Sequence, residues 1–168
     1  MESKAKALGH PIHPMLIVFP LGLLATATIF DGIREATGDE KWAEVGHYMQ
    51  GAGVVSGLAA AVPGIIDFLA IPNDTRAKRV GLLHGVGNVL ATGMFAASWL
   101  LRRDDPGNPD ATAVKLSVGG TALALVTGWL GGELVDRLGV GVHDGANLDA
   151  PNSLTGRHAA EGIRELAA

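Results

Sequence analysis

The sequence contains no cysteine and has few aromatic or charged side chains. Among its 168 residues, aromatic side chains make up 5% and charged ones 18%. The missing thiols exclude disulfides, thiolate-bound iron–sulfur clusters and covalent c-type haem attachment. A soluble domain usually carries about 25% charged residues, so the low charge argues against a soluble enzyme. The net charge is −4 without a basic cluster, which gives no reason to expect nucleic acid as a partner.

The charged residues avoid four long apolar windows. Asp, Glu, Lys and Arg are all missing from residues 7–30, 45–66, 80–101 and 116–132. A helix of about 20 apolar residues is long enough to cross a hydrocarbon core of roughly 30 Å. The sequence therefore predicts an all-α integral membrane protein, built as an up-down-up-down four-helix bundle within the lipid bilayer.

Proline, glycine and capping residues set the expected limits of the helices. The predicted spans cover roughly residues 14–36, 43–70, 79–102 and 113–136. They lie in a transmembrane domain over residues 1–138, and residues 139–168 form a polar tail in which Thr155–Leu166 has the pattern of a short helix. Pro63 is expected to bend the second span, and Asp74 or Thr75 to cap the third.

The ionisable residues near the span ends gather on one face of the membrane. Four spans put both termini on the same face, which we call side A, and the opposite face side B. Side A receives His10, His13, Asp67, His84, Glu133, Asp136 and His143, whereas side B offers only His47. Ionisable groups inside a membrane are costly and therefore suggest function. This convergence predicts a site at the side-A end of the bundle.

The residue types on side A favour a metal centre. Each histidine of His10-Pro11-Ile12-His13-Pro14 precedes a proline and is held in extended backbone. Imidazole together with carboxylate suits iron, copper or zinc. A haem b would use His84 with His10 or His13, and Asn88, one turn from His84, would orient its imidazole. The predicted metal ligands are His10, His13, Asp67, His84 and Glu133.

Structural explanations for the same residues remain open. The HPIHP string can be a rigid helix start, Asp67 and His84 can share a hydrogen bond between helices, and Glu133 can mark the end of a span. Small residues also repeat at four-residue spacing, which favours close helix packing and association into a homo-oligomer. They are Gly53, Gly57, Gly81, Gly85, Gly120, Ala124, Gly128 and Gly132.

Three segments resemble a family of bacterial membrane proteins. They are GHPIHPMLIVFPLGL with the following Asp31, the Leu83-His84-Gly85 segment with Asn88, and GWLGGELVDRLGVGVH. They are similar to the family called domain of unknown function 2231 over roughly residues 8–143. The resemblance implies a four-helix membrane protein of the bacterial inner membrane. Some relatives join this unit to a Rieske-type iron–sulfur domain, which implies electron transfer; these 168 residues carry no cysteine for such a module.

These observations leave three functions open. The first is a redox or electron-transfer subunit that binds haem b or a transition metal ion and works with a redox partner protein, without catalytic activity of its own. The second is a structural subunit of a larger membrane complex, in which the polar residues hold helices together. The third is a proton or ion transport module. Lys and Arg only slightly favour side A as the cytoplasmic face.

Overall fold

The computed structural model describes residues 1–161 and is mainly helical. A short antiparallel hairpin, β1 (Lys6–Ala7) with β2 (His10–Pro11), precedes the helices. The helices are α1 (Ile12–Leu16), α2 (Val18–Thr37), α3 (Lys41–Ala70), α4 (Arg76–Leu101) and α5 (Ala111–Gly132). A π-helical turn, Glu133–Arg137, extends α5, and a 3₁₀ turn covers Ser153–Thr155.

Four helical segments are long and apolar enough to cross a membrane. They cover Ile12–Thr37, Lys41–Ala70, Arg76–Leu101 and Ala111–Arg137. Each begins two or three residues before its predicted span and ends within one residue of it. The predicted all-α, four-span architecture is therefore confirmed. The predicted helix Thr155–Leu166 extends past residue 161 and so lies partly outside the described residues.

Local sequence explains where the helices break and begin. Pro20 has no N–H to donate to the Leu16 carbonyl, and the first span is interrupted at Ile17 between α1 and α2. Pro63 lies inside α3, which continues unbroken through it. Of the two residues expected to cap α4, Thr75 does so: its hydroxyl accepts a hydrogen bond from the Lys78 N–H at 3.1 Å.

The bundle consists of two closely packed helix pairs. α2 packs along α3, and α4 packs along α5, while the two pairs contact one another less extensively. A Cβ atom at Gly46 would lie 3.3 Å from the Ala27 carbonyl oxygen, and one at Gly87 would lie 2.4 Å from Thr127 Cγ2. Glycine thus allows the two helices of each pair to pack closely at these positions. The apolar core between the pairs is small and centres on Phe95, with Leu24 and Val54.

The predicted small-residue faces are only partly used for packing within the chain. Gly53, Gly57, Gly81 and Gly120 do contact neighbouring helices. In contrast, within residues 1–161, Gly85, Gly128 and Gly132 have no neighbouring atom within 4 Å of the position a Cβ would occupy. These three therefore make no close helix contact in the described part of the chain, and association into a homo-oligomer stays a prediction. Repeat spacing alone does not tell which side of a helix faces the protein.

Candidate functional site

His13 is held against α3 through its ring nitrogen Nδ1. This nitrogen lies 2.8 Å from the carbonyl oxygen of Ala60. Because a carbonyl only accepts hydrogen bonds, Nδ1 carries the proton and Nε2 keeps its lone pair in the neutral ring. Gly64 makes room for the ring, since a Cβ atom there would lie 2.9 Å from His13 Nδ1. The orientation of His13 is therefore fixed by a backbone hydrogen bond and a glycine.

His84 is held against α5 in the same way. Its Nδ1 donates to the carbonyl oxygen of Thr127 at 2.8 Å, and a Cβ atom at Gly131 would lie 3.1 Å from His84 Cε1. The Asn88 amide nitrogen lies 3.1 Å from His84 Nε2, and its oxygen accepts from the Thr127 hydroxyl at 2.8 Å. Asn88 thus contacts His84 through Nε2, the nitrogen that would bind a metal, whereas the predicted orienting role requires contact with the other ring nitrogen.

The two imidazoles lie next to each other between the helix pairs. The ring centroids of His13 and His84 are 6.4 Å apart, and the ring planes are nearly perpendicular at 87°. We call these two residues the histidine pair. Each member belongs to a different helix pair, and in each the Nδ1–H is bound to backbone. Of the two predicted combinations, the structure brings His84 together with His13.

The other histidine of the HPIHP string lies apart from this pair. His10 is on β2, is exposed, and has its Nε2 3.1 Å from the Ser153 hydroxyl. The turn Leu8-Gly9, with φ of +50° and +83°, reverses the chain before His10. Gly9 also adjoins Ser153, where a Cβ would lie 2.8 Å from the serine Cβ. His10 therefore belongs to the surface contact between the N-terminal hairpin and the tail.

Asp67 binds the N-terminal segment. Its carboxylate accepts hydrogen bonds from the Ser3 hydroxyl at 2.7 and 2.9 Å, from the Lys4 N–H at 2.6 Å and from the Ala5 N–H at 3.2 Å. His84 instead bonds to Thr127 and Asn88. The structure thus places no direct hydrogen bond between Asp67 and His84 within residues 1–161, which corrects that expected pairing.

Glu133 forms an ion pair at the end of α5. It accepts a hydrogen bond from Arg76 Nη2 at 2.5 Å, which ties the π-helical turn to the start of α4. A surface cavity of about 390 Å³ adjoins this turn; it is lined by Trp129, Gly132, Glu133, Asp136 and Arg137. Within the described chain, no group of three or more His, Cys, Asp or Glu side chains could hold a metal ion. The predicted ligands therefore do not converge on one point.

The N-terminal segment and the start of the tail cover the side-A end. His143 Nε2 donates to the Gly9 carbonyl at 2.7 Å in one of its tautomers, and its Nδ1 lies 3.3 Å from the Glu2 carboxylate. Glu2 also pairs with Lys6 and accepts from the Asp144 N–H. The hydrogen bond from Lys6, followed by that from Asp144, lowers the pKa of Glu2 from 4.5 to about 2. Ionised Glu2 is the centre of this cover.

The structure contains a second polar group, at side B, that the sequence analysis missed. It comprises one or more residues from each of the four spanning segments and the end of α4. We call it the side-B polar cluster; it consists of Asp31, His47, Gln50, Ser98, Arg102 and Ser117. The sequence suggested that His47 is the only ionisable residue near the span ends at side B. The structure adds Asp31 and Arg102 there.

A buried ion pair forms the centre of the side-B polar cluster. Arg102 donates to both carboxylate oxygens of Asp31, at 2.7 and 3.1 Å. Its Nη2 also donates to the hydroxyls of Ser98 and Ser117, at 2.9 and 3.1 Å. The side chains of Arg102 and Asp31 are 0% and 1% exposed. A charged pair this deeply buried requires such surrounding hydrogen bonds.

His47 and Gln50 complete the cluster from α3. Gln50 Nε2 donates to the Ser117 hydroxyl at 2.8 Å. The ring of His47 stacks on Trp99 at 5.8 Å between centroids, and Gly51 gives the indole room. In the sequence, Asp31 and Arg102 each stand one position beyond a charge-free window. Their opposite charges at the same membrane face were the signal for a pair.

Comparison with known proteins identifies the family. A family described as "Predicted membrane protein (DUF2231)" matches residues 9–144, and the chain belongs to that family. No curated protein and no solved structure matches the chain significantly. Both the histidine pair and the side-B polar cluster lie within the matched residues.

Proposed function

We propose that this member of the DUF2231 family is a membrane redox subunit that binds haem b through His13 and His84. The single observation that carries the proposal is the histidine pair. Its two imidazoles come from different helices, both donate Nδ1–H to backbone, and both leave Nε2 as the basic nitrogen. Histidines that ligate metals usually donate their second ring N–H to a carbonyl or carboxylate in this manner.

The separation of the two ring centroids would allow His13 and His84 to hold one group together. Each would bind it through Nε2, with a metal–nitrogen bond of about 2 Å. The observed separation is 6.4 Å. Gly64 and Gly131 let the rings stay close to the helix backbones. His13 and His84 also belong to different helix pairs, so separation of the two helix pairs would not disrupt the packing within either of them.

The number of ligands favours haem over a bare metal ion. Protein sites for transition metals generally supply three or four side-chain ligands. Within residues 1–161 no such group of His, Asp or Glu is present. Haem would need no more than two side-chain ligands from the protein, so His13 and His84 would be sufficient to hold it. Haem would supply one-electron transfer; the chain's role is to orient the imidazoles and to exclude water.

The hydrogen bonds of the pair determine its ligand properties. The Ala60 and Thr127 carbonyls hold the rings and increase the basicity of Nε2, because they attract the Nδ1 proton. Asn88 donates to His84 Nε2, so this nitrogen can bind a metal only after the amide turns away. Asn88 would therefore compete with the haem for His84 Nε2. When no haem is bound, the Asn88 amide is the hydrogen-bond partner of this nitrogen.

An absorption spectrum of the detergent-purified protein tests the proposal, with haem supplied during expression. We expect a Soret band, and α and β bands that sharpen on reduction with dithionite. His13→Ala and His84→Ala should each lose or shift these bands. His10→Ala is the matched control, since it removes an exposed imidazole from the same HPIHP string and should leave the spectrum unchanged.

Two outcomes would contradict the proposal. A colourless protein after expression with haem would leave the structural-subunit function, in which the pair joins helices through its backbone hydrogen bonds. Haem loss in His10→Ala but not in His13→Ala would assign the centre to the surface hairpin. Metal analysis of the colourless protein would then distinguish a bare metal ion from no cofactor.

A further inference from the structure

Three polar atoms of the side-B polar cluster are buried without a hydrogen-bond partner. Within the described part of the chain these atoms are Arg102 Nε, Gln50 Oε1 and His47 Nδ1. The exposed fraction of the whole residue is 0% for Gln50, 1% for Arg102 and 8% for His47. A buried polar group without a hydrogen-bond partner destabilises the folded state, because it has lost its hydrogen bonds to water. Three such atoms in a single cluster are donors and acceptors that a small polar molecule would satisfy.

The three atoms belong to side chains that hydrogen bonds and ring stacking link within one cluster. Gln50 Nε2 and Arg102 Nη2 both donate to the Ser117 hydroxyl, at 2.8 and 3.1 Å. The unpartnered Gln50 Oε1 and Arg102 Nε therefore belong to an amide and a guanidinium group that both contact the Ser117 oxygen. His47 precedes Gln50 by three positions and lies on the same face of α3. The His47 ring stacks on Trp99. Trp99 follows Ser98, whose hydroxyl accepts a hydrogen bond from Arg102.

The hydrogen-bonding character of these atoms identifies the ligand. Arg102 Nε–H can only donate, and Gln50 Oε1 can only accept. His47 Nδ1 accepts when the ring proton is on Nε2. An anion would face the Gln50 oxygen and the imidazole lone pair, and Asp31 already neutralises Arg102. A cation would face the guanidinium. With the His47 proton on Nε2, the ligand that fits is neutral, accepts one hydrogen bond and donates two.

We propose that a water molecule is bound at this position. It accepts from Arg102 Nε–H and donates to Gln50 Oε1 and His47 Nδ1, which gives it the three hydrogen bonds typical of a buried water. The water holds His47 in its Nε2–H tautomer. It also links α3 to the end of α4, and so joins the two helix pairs at side B.

Solid-state NMR of the full chain in lipid nanodiscs, with ¹⁵N-labelled arginine and histidine, tests this proposal. We expect water-edited transfer to Arg102 Nε although this side chain is buried, and a His47 Nδ1 shift typical of a nitrogen that accepts a hydrogen bond. Gln50→Leu should abolish the transfer at Arg102 Nε. Thr121→Val is the matched control, because Thr121 lies one turn from Ser117 and is hydrogen-bonded to Thr28 instead.

The wild-type spectrum decides the question even if Gln50→Leu does not fold. Absence of water transfer to Arg102 Nε, or a direct Arg102 Nε to Gln50 Oε1 hydrogen bond, would overturn the proposal. A proton on His47 Nδ1 would also overturn it, because that nitrogen could not then accept from the water. The readout is independent of haem, so it does not depend on the proposed redox function.

Discussion

Gly131 lies directly against the imidazole of His84: a Cβ atom at this position would be 3.1 Å from His84 Cε1. Gly64 has the same relation to His13, where the Cβ would be 2.9 Å from Nδ1. Both rings are fixed by backbone hydrogen bonds and cannot move away freely. The two glycines therefore control the placement of the histidine pair.

We expect Gly64→Ala and Gly131→Ala to lower the free energy of unfolding by about 1–3 kcal/mol, because the added methyl groups displace a fixed ring. Gly85→Ala and Gly128→Ala, where no atom of the described residues lies within 4 Å of the added Cβ, should instead raise it by about 0.5–1 kcal/mol. Reversible unfolding in mixed detergent measures the change. Equal effects at all four positions would mean that the glycines have no special relation to the pair.

Breaking the Asp31–Arg102 ion pair should strongly destabilise the bundle. Asp31→Leu and Arg102→Met are each expected to cost about 3–5 kcal/mol, because each leaves a buried charge unpaired. The double variant should cost less than the sum of the two, because neither charge remains. Arg103→Met is the control, since Arg103 is exposed and pairs with exposed Asp104. Additive costs in the same unfolding assay would exclude the ion pair.

Asp67 should hold the N-terminal segment rather than the cofactor. In Asp67→Asn the amide replaces one acceptor oxygen and adds a donor, so we expect amide hydrogen exchange at Lys4 and Ala5 to become about tenfold faster, equivalent to roughly 1.4 kcal/mol. Asp136→Asn, also on side A, should leave this exchange unchanged. The haem spectrum should persist in both variants. Loss of haem in Asp67→Asn alone would instead indicate a ligand role.

The side-A cover should resist mild acid. The pKa of Glu2 is lowered from 4.5 to about 2, chiefly by the hydrogen bond from Lys6, so its contribution to stability is fully present above pH 4.5 and is lost as the pH falls towards 2. A ¹³C NMR titration of the Glu2 carboxyl should give a midpoint near 2. In Lys6→Ala the midpoint should move towards 4.5; an unchanged midpoint would exclude Lys6 as the main cause.

The spans and the His84–Asn88 contact could be predicted from the sequence because they depend on local information. Charge-free windows determine where a helix can cross the membrane, and four-residue spacing places Asn88 one turn from His84. His13 was also among the predicted partners of His84. These features require only helix geometry and the order of the spans.

The partners of Asp67 and Arg102 could not be predicted in this way. Asp67 bonds to Ser3, which is 64 positions earlier, because the N-terminal segment folds back over the end of α3. Arg102 lies at a span end, where arginine usually extends to the lipid headgroups; here it turns inward to Asp31. Both outcomes depend on which way a side chain or segment turns, and the order of the spans does not specify that.

The division into two helix pairs has a consequence for biogenesis. Each pair is a helical hairpin that can insert into the membrane by itself, with residues 71–75 as the connection. His13, Asp31 and Gln50 belong to the first hairpin, and His84, Arg102 and Ser117 to the second. Both polar sites therefore come into existence only when the inserted hairpins associate. Two separately synthesised halves would each carry an incomplete set of partners, and their unpaired buried groups would favour reassembly with each other.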